Sequence, residues 1–159
     1  MLREERVVVP LRVGLVVLFG VLVVFQTLSF PGQFAHMAQE SPEAAAWRWP
    51  LTALAVYWLL CVEVVVVATW VLLSRVRADR IFTVASLVWV DVIIGAIGAA
   101  WVVLAGVLVA VGLGADDPGL PVLLFALTVG VAVVGLLMVV MRALLRKATT
   151  LRSDMDAVI

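Results

Sequence analysis

The sequence predicts an all-α fold, a polytopic membrane protein with a bundle of four transmembrane helices. Of its 159 residues, 65% are hydrophobic and 14% are charged, whereas soluble domains are about 45–50% apolar and about 25% charged. The apolar residues are gathered into four blocks, each long enough for the roughly 20 residues that a helix needs to cross a bilayer. We therefore expect one membrane domain and no separate soluble domain.

The spans follow in order over residues of about 11–30, 51–73, 81–113 and 120–141. Dipeptides that contain proline predict the outer turns, at Pro31-Gly32, Trp49-Pro50 and Pro118-Gly119. The first block exceeds the roughly 7–15 residues of a signal-peptide core, so we interpret it as a retained span. The third, from 81 to 113, makes about 50 Å of helix and must tilt, kink or project beyond a hydrocarbon core of about 30 Å.

The basic residues predict the orientation. Only Arg48 lies on the predicted outer side; the other ten are Arg3, Arg6, Arg12, Arg75, Arg77, Arg80, Arg142, Arg146, Lys147 and Arg152. The positive-inside rule then places both termini and the 75–80 turn in the cytoplasm. The 31–50 segment becomes the outer loop.

Two carboxyl residues, Glu63 and Asp91, lie inside apolar blocks, where a charge costs at least about 2.5–3.5 kcal/mol at mid-bilayer. Counting from the nearest cytoplasmic arginines puts both about 16–18 Å deep, with Gln26 and Thr128 about 21 Å deep. We therefore predict one polar layer. Gly95 and Gly98 share a stripe with Asp91 and are predicted to allow close helix packing.

Three interpretations of this layer remain open. Protonated carboxyl groups can hydrogen-bond within the bundle and stabilise it, because desolvation and like-charge repulsion favour the neutral form. Alternatively, they can form a proton- or cation-binding site for transport or sensing. In the third interpretation, one carboxylate pairs with an arginine such as Arg80 or Arg12.

The C-terminal segment 142–159 predicts an amphipathic cytoplasmic helix that continues span four. Its apolar residues recur at spacings of three and four, and a partner-binding surface would comprise Leu144, Leu145, Arg146, Leu151, Arg152 and Met155. The alternative is a helix that lies on the membrane or packs on the 75–80 turn.

Residues for several membrane chemistries are missing from the sequence. Cys61 is the one cysteine, so no cysteine pair can form, and His36 is the one histidine, so no histidine pair can hold a haem. There is no H-E-x-x-H motif and no glycine-rich phosphate loop. We therefore expect no enzyme activity, no cofactor and no metal.

Several segments together resemble the membrane family named domain of unknown function 2975. They are CVEV at 61–64, RIF at 80–82, WVDVIIG at 89–95, and VMRALLRKAT at 140–149, followed by Leu151-Arg152 and Met155-Asp156. The resemblance implies a bacterial inner-membrane protein with four helices and no assigned activity. Family members are often encoded beside a small helix-turn-helix regulator, which suggests a cytosolic partner.

From these observations we expect a sensory, regulatory or scaffold protein that forms a homo-oligomer and acts on a soluble partner through its tail. We expect no direct binding of nucleic acid. The alternative is a proton- or cation-coupled transport or channel subunit that uses Glu63 and Asp91.

Overall fold

The structure, a computed structural model, describes residues 2–40, 42–78 and 83–158. Arg80 and Ile81, which the sequence analysis uses as a possible ion-pair partner and as the start of the third span, lie outside the described residues. The elements are α1 (Leu2–Val24), a π-helical turn (Phe25–Ser29), α2 (Phe30–Glu40), α3 (Pro42–Arg77), α4 (Val84–Gly114) and α5 (Gly119–Val158).

The prediction of an all-α membrane fold is confirmed, since the described residues contain helices and turns and no strand. Four segments are long and apolar enough to cross a membrane, namely Val8–Gln39, Ala45–Arg77, Val84–Gly114 and Gly119–Met155. Most of their large apolar side chains are at least partly exposed. A helix that is apolar all round needs an apolar surrounding, and lipid provides it for these four segments.

The prediction of a loop over 31–50 is wrong, because most of this segment is helical. Its position on the outer side of the membrane stays a prediction. Pro31-Gly32 lies in α2, and Trp49-Pro50 lies inside α3. The π-helical turn ends at Ser29, two residues before Pro31, and the Phe30 N–H donates to the Phe25 carbonyl, five residues back. Proline cannot donate the usual backbone hydrogen bond, and the wider turn ahead of it offers one way to accommodate that loss. Prolines are also better tolerated in membrane helices than in soluble ones.

The chain divides into two compact units, residues 1–66 and 67–159. In the second unit, α4 and α5 form an antiparallel hairpin joined by the turn at residues 115–118. The less exposed positions of α5 recur alternately at four and three residues, as in heptad packing. They include Leu124, Thr128, Val131, Gly135, Met138, Arg142, Leu145 and Thr149.

α4 and α5 approach each other closely at Gly135, where an added Cβ would stand 3.3 Å from Cγ2 of Ile97. Gly95 and Gly98, predicted as packing residues, are instead exposed, with no described atom within 4 Å of an added Cβ. The physical reason is the direction of the stripe. Asp91 lies at the edge of the contact between α4 and α5, and Gly95 and Gly98 share its side of the helix. Ile97 lies on the side of α4 that faces α5.

Candidate functional site

Asp91 of α4 forms an ion pair with Arg142 of α5. The Arg142 Nε donates to Asp91 Oδ1, and Nη2 donates to Oδ2 at 2.8 Å. Two parallel hydrogen bonds between guanidinium and carboxylate are the strongest and most directional arrangement for such a pair. The interpretation in which one carboxylate pairs with an arginine therefore applies to Asp91. Its partner is Arg142 and not Arg80 or Arg12.

The two partners lie at equal distances from the turn of the hairpin. The charge-free arms 92–114 and 119–141 contain 23 residues each, or about 35 Å of helix. This length exceeds the hydrocarbon thickness of about 30 Å, so a hairpin whose turn is at one membrane face places the pair near the other. The side chains of Asp91 and Arg142 remain 47% and 35% exposed, which suits a position near head groups and water.

A second contact sets the register nearer the turn. The Trp101 Nε1 donates to the Thr128 carbonyl at 3.1 Å, and the Thr128 hydroxyl donates to Leu124 of its own helix at 2.7 Å. Trp101 is ten residues beyond Asp91, or about 15 Å along α4. The prediction that Asp91 and Thr128 lie at one level is therefore wrong. The count from arginines treated Arg142 as a marker of the membrane face beyond Asp91, whereas Arg142 lies opposite Asp91.

Glu63 has a different environment from Asp91. Its Oε1 atom is buried and has no hydrogen-bond partner among the described residues. Twelve residues separate Glu63 from Arg75, which corresponds to about 18 Å along α3. Gln26 lies in the π-helical turn and is half-buried. Glu63 and Gln26 belong to the unit of residues 1–66, and Asp91 and Thr128 to the other, so a level that Glu63 and Gln26 share with either of those residues stays a prediction.

The C-terminal segment continues α5 to Val158 without a break. Leu144, Leu151 and Met155 are exposed, and Leu145 is half-buried. Arg146 and Arg152 are exposed too. The hydroxyl groups of this segment bond to backbone carbonyls of the same helix, including Thr149 to Leu145 and Ser153 to Thr150. The segment therefore presents an apolar stripe bordered by cations.

The family comparison decides the membership of the chain. A family model described as "Protein of unknown function (DUF2975)" matches residues 32–159. The chain belongs to this family. The DUF2975 match covers Glu63, Asp91, Arg142 and the C-terminal segment, whereas Gln26 and the π-helical turn precede it. No curated protein and no solved structure matches the chain.

Sequence reasoning missed Arg142 as the partner of Asp91, although a signal was present. Counting outward from the 115–118 turn, instead of inward from the basic residues, gives the same number for both partners. The close approach at Gly135 carried no comparable signal, because five glycines occur in α4 and their spacing alone favoured that helix.

The ion pair predicts a specific pattern of stability in variants. Asp91→Asn and Arg142→Gln should each lower the unfolding midpoint in detergent, because each leaves one charge of the pair without its partner. The double variant should be less destabilised than the sum of the two single variants. Arg146→Gln, one turn further along α5, is the control and should leave the midpoint near that of the wild type. Additive effects of the two single variants would contradict a direct pair.

Proposed function

We propose that this protein is a non-enzymatic, multi-pass protein of the bacterial inner membrane, with both termini in the cytoplasm. In this proposal it is a sensory, regulatory or scaffold protein that acts on a soluble partner through its tail, residues 142–159. The observation that carries the proposal is the unbroken helix α5, which extends from the predicted outer turn to Val158.

The length of α5 favours a tail that projects from the membrane. Sixteen residues, 143–158, follow the ion pair, and they correspond to about 24 Å of helix. A helix that lay flat on the membrane would have to bend where the span ends, and sharp bends need a proline, a glycine pair or a π-bulge. Residues 136–158 contain neither proline nor glycine. The exposed stripe of Leu144, Leu151 and Met155 therefore favours a protein partner that covers it.

The ion pair supports transmission from the membrane to the tail. Arg142 lies at the base of the tail and is held by Asp91 of α4. Because the pair is bidentate, it constrains both the position and the rotation of α5 at this point. A shift of α4 along α5 would therefore either break the pair or move the base of the tail.

The chemistry of the tail favours a protein partner over nucleic acid. Its cations Arg146, Lys147 and Arg152 are accompanied by Asp154 and Asp156, so it lacks the strongly basic surface that binds phosphate backbones. An amphipathic helix is commonly bound in an apolar groove of another protein. The family resemblance suggests, as that protein, the small helix-turn-helix regulator that is often encoded beside family members. A second copy of the chain is the alternative partner.

This proposal predicts that the tail recruits the regulator to membranes. Vesicles that contain the full-length protein should carry the purified regulator upward in flotation, and deletion of residues 149–159 should abolish this. Leu151→Ser with Met155→Ser should weaken binding about a hundredfold, since burial of two such side chains contributes roughly 3 kcal/mol or more.

The matched control carries Thr150→Asn and Ser153→Asn, two exposed positions off the apolar stripe. Regulator binding by this control should equal that of the wild type. Equal flotation with the full-length and the truncated protein would contradict a role for the tail.

A second candidate function is a proton- or cation-coupled transport or channel subunit. The buried Oε1 of Glu63, without a described partner, favours it, because an ionisable side chain deep in a membrane span commonly marks an ion or proton path. Asp91 is already paired with Arg142. This alternative therefore depends mainly on Glu63.

Flux through reconstituted vesicles tests this alternative. If Glu63 carries the ion or proton, Glu63→Gln should abolish the flux, because an amide can neither release a proton nor carry a charge. The helix fold should persist, since the substitution nearly preserves shape. Asp154→Asn, a carboxyl residue exposed in the tail, serves as the control and should leave the flux unchanged. Absence of any flux from the wild-type protein, or flux unchanged in Glu63→Gln, would reject this function.

A further inference from the structure

A cleft of about 230 Å³ lies between α2 and the first turns of α3, in the unit of residues 1–66. Its lining residues are Phe34, Met37, Trp47, Arg48 and Leu51. The surface of the cleft is almost entirely apolar, and Arg48 is the one charged residue among those that line it. Met37 and Trp47 are also exposed, so the cleft opens at the surface of the two helices. This combination suits an amphiphile with a negatively charged group.

The position of Arg48 along α3 matches the level of lipid head groups. Arg48 and Arg75 are 27 residues apart, which corresponds to about 40 Å of helix. A bilayer with its head-group regions is about 40–45 Å thick. Glu63 is the one charged residue between them. If Arg75 lies at the head groups of one leaflet, Arg48 therefore lies at those of the other.

The guanidinium of Arg48 is positioned by its neighbour. Its Cζ atom lies 5.2 Å from the centroid of the Trp49 ring, within the range of a cation–π interaction. The Thr52 hydroxyl donates to the Arg48 carbonyl at 2.7 Å, within the same helix. A guanidinium has a planar set of donors that matches phosphate oxygens, and stacking on an aromatic ring leaves those edge donors available.

We propose that this cleft binds one anionic phospholipid of the surrounding bilayer. An acyl chain packs against Phe34, Met37 and Leu51, and the lipid phosphate accepts hydrogen bonds from Arg48. Lipid is the occupant because the cleft opens on helices that are apolar enough to cross a membrane. A zwitterionic head group would bring its own cation towards Arg48, which disfavours it. The proposal goes beyond the proposed function, since no step of it involves the tail.

Lipid retention provides the test. The full-length protein is placed in nanodiscs of equal amounts of phosphatidylglycerol and phosphatidylcholine, and native mass spectrometry counts the lipids that stay bound. The wild type should retain phosphatidylglycerol in preference by about tenfold, the size expected for one charge-assisted contact. Arg48→Gln should remove this preference, and Arg48→Lys should keep part of it, because lysine preserves the charge without the planar donors.

Two further variants separate the cleft from general effects. Arg77→Gln, an exposed basic position near the other end of α3, should retain the preference of the wild type. Leu51→Trp should reduce retention of both lipids, since the larger ring fills the cleft. Millimolar inorganic phosphate should leave retention unchanged, because the acyl chain contributes to binding.

Three results would overturn the proposal. They are an undiminished preference in Arg48→Gln, an equal loss in Arg77→Gln, and complete displacement of lipid by inorganic phosphate. If Leu51→Trp fails to fold, the Arg48 and Arg77 variants still decide the outcome.

Discussion

The ion pair between Asp91 and Arg142 constrains how α4 and α5 meet, and the other contacts of the hairpin are consistent with it. With this pair made, Ile97 lies over Gly135 and Trp101 donates to the Thr128 carbonyl. A slip of one helical turn, about 5.4 Å, would break both hydrogen bonds of this bidentate pair and leave each charge without its partner. Few apolar contacts discriminate between registers so sharply, because one Leu or Val can replace another across the interface.

The two carboxyl groups in the apolar blocks have contrasting environments, although the sequence presents them alike. Asp91 lies one hydrocarbon thickness from the turn and has a guanidinium partner. Glu63 lies deeper along its helix, and its Oε1 is buried without a described partner. In a membrane, a charge is tolerated near the interface or in a pair, whereas an ionisable side chain deep in a span commonly marks an ion or proton path. Asp91 therefore holds α4 against α5, and Glu63 is the residue on which the proposed transport alternative depends.

Much of the fold could be predicted from the sequence because the relevant signal is composition summed over long segments. Four mostly apolar blocks of 20 or more residues each leave few alternatives to four membrane helices. The helical path through 31–50 could not be predicted in the same way. Proline and glycine there predicted turns, but a π-helical turn ahead of Pro31 and the tolerance of membrane helices for Pro50 allow the helices to continue.

The candidate site shows a similar division. Asp91 stands out in the sequence because its neighbours are apolar. Its partner can be predicted only if residues are counted from the 115–118 turn and not from the basic residues. Basic residues give only an approximate depth, since an arginine that pairs with a carboxylate, as Arg142 does, lies opposite that carboxylate and not beyond it. The short turn at 115–118 is a better reference, because it fixes the two helices relative to each other.

Disulfide cross-linking tests the register of α4 and α5 most directly. In a Cys61→Ala background, Ile97→Cys with Gly135→Cys should form a disulfide readily, because an added Cβ at 135 lies in contact with Ile97. Ile97→Cys with Val122→Cys should not form one. A register with Asp91 level with Thr128 would instead bring positions 97 and 122 together. Efficient cross-linking of 97 to 122, and none of 97 to 135, would contradict the pairing of Asp91 with Arg142.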